Sequence, residues 1–491
     1  MAKRLFSLFT FPFLLLTALK PALAHGIGQT YTLPLPLWLY LWGSGAVVFL
    51  SFVVIGLFIG KRKITPDTKI TVSTTTLRIP QLPLRILQFV SLFLFFLTIL
   101  TGLFGNQDPV KNFSPNFIWA VFIIVFVVTS ALFGNYWQYL NPFKIIFNLI
   151  EKLLPKPVSL NITYPKSLKY WPAVAFYLAF IWLELASGFS AEPRILAFFI
   201  VIYSTITFWG MILFGKDTWL EGGEFLTVLA NFLSRFSPLE YKNEAIFIRN
   251  PVNKLIDNGK IDFSLVMFII LTLAGVAFDS FKESPLFFQI LAVFGLESTS
   301  PQVYQSLGVL LMSAPYLLLY FFFSALGKIL SGTKETMATF ASTFALSLLP
   351  ISLAYFVAHF YSLFLIQGQA LIYLVSDPFG IGWNLFGTAG YEMKIGFLRA
   401  DHVWFSQIGL IVLGHVAAIY LAHYIALNVF INHRQAILSQ YPMATLMIFY
   451  TVFSLWLLSQ PIVVQTSYPT PPTYYTLAYA SPPYPVPINY P

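Results

Sequence analysis

The chain has 491 residues, of which 57% are hydrophobic and 10% charged, with a formal net charge of +9 and a mean hydropathy of +0.75. A water-soluble domain could not hide that much apolar surface, so the chain's main solvent is the lipid bilayer. The absence of cysteine excludes disulfides, thiolate metal sites and cysteine nucleophiles, and the dispersal of basic residues over many loops leaves no footprint for nucleic acid.

In chain order, Lys3 and Arg4 precede an apolar run from Leu5 to Leu19, and Ala22-Leu23-Ala24 supplies a small-x-small cleavage pattern. Residues 1–24 therefore read as a signal peptide, and cleavage would make His25 the mature N-terminus. Apolar runs long enough for a hydrocarbon core of roughly 30 Å follow near Leu37–Gly60, Leu84–Phe104, Phe117–Gly134, Tyr170–Gly188 and Ile195–Phe214. The second half adds Phe263–Ser280, Val303–Leu326, Ala338–Ile366, Trp404–Leu427 and Met443–Leu458. Each must be helical in lipid, where unpaired backbone groups are costly. The expected fold class is all-α: a polytopic transmembrane helix bundle of about ten spans after the signal peptide, occupying residues 25–466. Aromatic residues at 18% of the chain, with 52 Phe, suit lipid contact and interfacial anchoring.

Basic residues fix an expected orientation. With the mature N-terminus outside, Lys61, Arg62, Lys63, Lys144, Lys152, Lys216, Arg235, Lys254 and Arg434 fall in the cytoplasm. The opposite side receives Lys111, Arg194, Lys282, Lys394 and Arg399. This predicts a multi-pass protein of the plasma membrane with its C-terminal tail outside. Phe143–Leu154 has the apolar spacing of a helix lying on the cytoplasmic surface; Pro285–Leu296 is a counterpart on the other side. The external loop 367–401 carries Ser376-Asp377-Pro378-Phe379-Gly380 and reads as a cap. Residues 467–491, rich in Tyr and Pro, read as a disordered tail.

An ionisable residue inside a span costs roughly 2.5–3.5 kcal/mol when charged, so each one calls for a reason. Glu184, Asp279, His359 and His415 fall in the expected spans, with the first three near their outer ends, and Asp377 and His25 add to that outer layer. Imidazoles and carboxylates from several helices suit a divalent transition metal such as copper or zinc. The expected metal ligands are His25, His359, Asp377 and His415, with Glu184 and Asp279 as catalytic acid–base residues. His423, eight residues after His415, lies about 12 Å deeper on an ideal helix, so the two cannot share an ion. No phosphate-binding glycine loop, His-Glu-x-x-His or Gly-x-Ser-x-Gly motif occurs.

The stretch Ala354-Tyr355, Ala358-His359-Phe360, Ser376-Asp377-Pro378-Phe379-Gly380, Gly382-Trp383, Leu385-Phe386-Gly387-Thr388 and Gly414-His415-Val416-Ala417-Ala418 resembles the membrane proteins called fenitrothion hydrolases. Weaker echoes, among them Ala24-His25-Gly26, Trp182-Leu183-Glu184 and Phe278-Asp279, extend the likeness over nearly the whole chain. Asn384 departs from it where Asp is expected. The resemblance implies hydrolysis of hydrophobic organophosphate-type esters, which a metal-activated water at the outer site would serve. The alternatives are a copper or other transition-metal transport or handling protein, for which eight Met residues offer little thioether support, or a structural subunit of a membrane complex. The partners expected beside the bilayer are therefore a hydrophobic small molecule or a metal ion.

Overall fold

Lipid offers no hydrogen bonds to the backbone, and the chain answers with helices almost throughout. The computed structural model describes residues 31–58, 77–242, 245–248, 251, 261–430, 432–460 and 463–464. The expected signal peptide, His25 and the tail 467–491 lie outside the described residues.

In chain order come β1 (Tyr31–Thr32), α1 (Leu37–Phe58), β2 (Leu77–Arg78), α2 (Gln81–Phe104), α3 (Phe113–Phe133), α4 (Trp137–Leu140), α5 (Pro142–Leu153), α6 (Trp171–Leu185), α7 (Pro193–Phe214), α8 (Lys216–Gly222) and α9 (Phe225–Leu233). Then follow β3 (Leu239–Lys242), β4 (Ala245–Ile248), α10 (Phe263–Phe281), α11 (Pro285–Val293), α12 (Pro301–Ser331), α13 (Met337–Gln367), α14 (Ala370–Leu374), α15 (Ala400–Val429), α16 (His433–Ser459) and β5 (Val463–Val464). Among the described residues, nine helices are long and apolar enough to cross a membrane: α1, α2, α3, α7, α10, α12, α13, α15 and α16. The tenth expected span is α6, whose 15 residues rise only about 22 Å. The last span, expected over Met443–Leu458, belongs to α16, which begins ten residues earlier and holds Pro442 inside it. Membrane helices tolerate such a proline because neighbours satisfy the displaced carbonyl.

Hydrogen bonds sort the connections onto two faces. On one, the Asn106 amide donates to Phe379 O (2.7 Å), the Tyr373 hydroxyl to Val110 O (3.0 Å) and the Trp119 indole to Ser190 O (2.8 Å). This loop face carries the 105–112, 186–192 and 368–399 connections. On the other, Lys216 pairs with Glu151 (2.9 Å), Lys144 with Asp217 (3.1 Å), and Lys169 with Asp262, while β2 and β3 both pair with β4.

Burial separates axis from rim. The most apolar window of α10 is 89% buried, that of α2 only 17%, so α10 is the central helix and α2 faces lipid. Helices α6, α12 and α13 surround α10; α15 packs on α13, α16 and α1. The amphipathic α5 turns Phe143, Ile145 and Phe147 inward, as its spacing predicts. Sequence reading passed over α9: nine residues cannot span, yet all but Asn231 are buried, and the helix inserts among α3, α6 and α13. Loop 368–399 docks on the α2–α3 connection. Gly380, at φ +66°, lies so close that a Cβ would meet Lys111 O at 2.3 Å, a backbone conformation and an approach that suit glycine.

Candidate functional site

The last turn of α10 places Asp279, Ser280 and Lys282 beside Tyr355 and His359 of α13, which share a helix face at i and i+4. Asp279 Oδ2 lies 2.7 Å from His359 Nε2, and Asp279 Oδ1 lies 3.1 Å from Lys282 Nζ. On the other side of the imidazole, His359 Nδ1 is 3.1 Å from Ser280 Oγ, which accepts from the Tyr355 hydroxyl at 3.2 Å. These contacts form one chain, Lys282–Asp279–His359–Ser280–Tyr355. With Nε2 protonated, the imidazole donates to the carboxylate and its Nδ1 accepts from Ser280; a second proton makes it a donor to both.

Beside this chain is a cavity of about 60 Å³, whose walls include both Asp279 and Glu184 of α6. Glu184 is close enough to Asp279 and Lys282 to feel both charges. Its other polar wall is Tyr177 with the Thr272–Ser352 hydroxyl pair, 3.0 Å apart; the remaining walls are apolar. In so apolar a setting charge interactions are weakly screened. By the measure in which one water needs about 10–15 Å³, the cavity accommodates a few waters or one small cation.

The expected residues thus divide. Glu184, Asp279 and His359 meet. Asp377 instead accepts from the amides of Ile381 (3.0 Å) and Gly382 (2.7 Å) and closes its own turn. His415 is buried and donates from Nδ1 to the Ile411 carbonyl at 2.8 Å, which leaves Nε2 the acceptor nitrogen, buried without a hydrogen-bond partner. His423 lies deeper, against Gln440 at 2.9 Å. Among the described residues, no three His, Asp or Glu side chains are placed to hold a metal ion. At the pair that does meet, the Lys282 ammonium sits on one Asp279 oxygen and both His359 nitrogens have partners, so this donor set does not fit a metal as it stands.

Sequence reading missed a second carboxylate. Glu224 is fully buried at the N-terminus of α9. Its Oε1 accepts from the Tyr203 hydroxyl and the Leu226 amide (2.9 Å); its Oε2 accepts from the Thr227 amide (2.8 Å), the Thr227 hydroxyl and Asn141 Nδ2 (3.3 Å). Asn141 in turn caps α5 through the Phe143 amide at 2.9 Å. The signal was present: Gly222-Gly223-Glu224 ahead of an apolar run is a helix start. Ser280, Tyr355 and Lys282 were also missed, though Tyr355–His359 and Asp279–Lys282 have helical pair spacing.

No protein-family model, curated protein or solved structure matches the chain. Among the described residues, nine long apolar helices and a wide exposed apolar surface decide the class. It is a multi-pass helical membrane protein.

Proposed function

We propose that this membrane protein is a proton-coupled carrier whose proton-binding site is the Asp279–His359 pair. The observation that carries the reading is that both oxygens of one intramembrane carboxylate are held by basic side chains, an imidazole on one and an ammonium on the other. Intramembrane acid–imidazole chains are the physical means by which pumps and transporters hold protons. While Asp279 is ionised it binds Lys282 and orients His359. Once a proton neutralises it, the carboxyl loses its charge-assisted hold on Lys282, and the contact between α13 and the end of α10 weakens. Glu184, on the same cavity, makes a second protonatable station. The site therefore has two charge states with different helix contacts, which is what coupling a proton to a conformational change requires.

The test is infrared difference spectroscopy on lipid-reconstituted protein as the pH is stepped. A buried carboxyl signal should titrate in the wild type and be lost in Asp279→Asn, and a pH gradient should drive solute accumulation in sealed vesicles only when Asp279 is present. Equal carboxyl titration in the two proteins ends the reading. The ester hydrolysis implied by the family resemblance, with copper or zinc, makes the opposite demand. Aryl phosphotriester hydrolysis in detergent, without a gradient and lost on chelation, would favour it.

A further inference from the structure

Helices α2, α3, α6 and α7, closed at one end by the N-termini of α5 and α9, enclose a second cavity of about 350 Å³. Its size falls in the range that takes a small organic ligand. The walls are aromatic and aliphatic, and their hydroxyls are already engaged, while the buried Trp137 indole N–H on the wall has no hydrogen-bond partner among the described residues. Ser91 donates to Leu140 O (2.6 Å), Thr98 to Leu94 O (2.7 Å), and the Tyr203 hydroxyl to Glu224. An occupant therefore meets no charge and no uncommitted hydroxyl, only the Trp137 indole donor, so a solute with several polar groups would lose its water with little compensation.

Two features say what does fit and where it comes from. Ile202 and Ile206 of α7 line the cavity and are also 55% and 44% exposed on the lipid-facing side, so access is lateral, from the bilayer. In α3 the residues Asn116–Phe122 form a π-helix, and four of them, Phe117, Ile118, Trp119 and Phe122, are on the wall. A π-bulge displaces side chains from the regular helical register and is a frequent mark of functional sites. The cavity also shares Ile123 and Phe180 with the one beside Glu184 and Asp279.

We infer that this cavity binds a single hydrocarbon chain taken sideways from the bilayer, and that the chain-bearing molecule is the solute coupled to the Asp279–His359 site. The second clause rests on the proton-carrier reading; the first does not. Phe180 and Ile123 form the partition between the chain and the acid cavity, which brings a bound chain to within one side chain of the cavity that Glu184 and Asp279 line.

The experiment uses the full chain in nanodiscs with a diazirine-bearing long-chain alcohol, followed by peptide mapping. Labelling should be saturable and concentrated on α3 and α7 around the cavity. It should fall by about tenfold or more in Ala179→Trp, which fills the cavity from α6, and stay unchanged in Leu318→Trp on the outer face of α12. Excess free alcohol and excess phospholipid form two competition arms. Competition by either supports the chain site and identifies its source. Unsaturable labelling spread over all lipid-facing helices and unaltered by Ala179→Trp means annular lipid only and overturns the inference. Asp279→Asn should leave labelling intact while abolishing proton-driven uptake; saturable labelling together with uptake that Asp279→Asn does not change would overturn the carrier reading and leave the chain site standing.

Discussion

Glu224 and Asp279 are both carboxylates buried inside the helix bundle, and their surroundings differ in kind. Five neutral donors converge on Glu224: two backbone amides, two hydroxyls and an amide side chain. None of them gains or loses a proton near neutrality, so the carboxylate is fixed in place and its work is to start α9 and tie it to α5 and α7. Asp279 has Lys282 on one oxygen and His359 on the other. Both partners are basic side chains, so the contacts of this carboxylate depend on whether it is ionised, and the same functional group becomes switchable. Saturation by neutral donors makes a buried charge structural; pairing with titratable partners makes it a candidate for chemistry.

The sharpest way to break this contrast is to remove each carboxylate. Glu224→Ala leaves five donors facing an apolar hole, and the expected loss is about 3–5 kcal/mol. The measurement is a thermal melt of the detergent-solubilised protein, in which the variant should melt far below the wild type or fail to purify as a single species. Glu224→Gln keeps one good acceptor and should fall between the two. If Glu224→Gln instead abolished proton coupling without affecting the melt, the roles of the two carboxylates would be reversed.

Asp279→Asn should give the converse pattern: proton-driven uptake lost, with a smaller shift in melting than Glu224→Ala. The double variant Asp279→Asn, Lys282→Met sharpens the point. Removing both partners of a buried pair is often close to neutral, whereas removing one strands the other. The double variant should therefore melt nearer to wild type than the single one while remaining inactive. Recovery of uptake in the double variant would show that the carboxylate is merely a counter-ion.

How much of this was legible in the sequence depends on which residue is considered. The spans were, because continuous apolar runs report directly on the solvent. The level of Glu184, Asp279 and His359 was also legible, since counting residues along a helix gives depth. Rotation about the helix axis was not, because packing against neighbours sets it. That is why the bond from His415 to the carbonyl four residues before it was not legible; Asp377 lies in a loop, where the turn it closes decides that it accepts from two amides. Helix α9 escaped for a different reason: a run of nine residues gives a span-length search nothing to find, and its burial depends on neighbours distant in the chain.

A smaller effect is expected where α15 meets α13, the helix that carries His359. A Cβ on Gly414 would meet Ala354 Cβ at 2.3 Å and Pro350 O at 2.9 Å, a close approach of the kind small residues permit between membrane helices. Gly414→Ala should cost about 1–3 kcal/mol through overpacking and, by displacing α13, reduce uptake in proportion. Gly409 on the same helix has nothing within 4 Å of a Cβ position, so Gly409→Ala is the matched control and should leave both readouts unchanged. Equal melts for the two variants would show that α13 and α15 yield easily at this contact.

The smallest effect concerns a third carboxylate, at the end of α10 opposite to Asp279. Asp262 caps that helix, accepting from the Ser264 amide at 2.9 Å and from Lys169. Partial burial alone would raise its pKa, but the hydrogen bonds from Lys169 and Ser264 outweigh this and hold the carboxyl below its usual range. A carboxyl depressed in the folded state contributes stability that is fully present above the unfolded value, about 4, and fades as pH falls through the folded value. Melting temperature should therefore drop in acid more steeply for wild type than for Asp262→Asn. The variant keeps a capping oxygen but cannot titrate, and at neutral pH it should lose no more than about 1 kcal/mol, because the Lys169 partner is half exposed and screened. Parallel acid melts for the two proteins would mean that this ion pair adds nothing measurable, leaving Asp279 as the carboxylate of α10 whose ionisation matters.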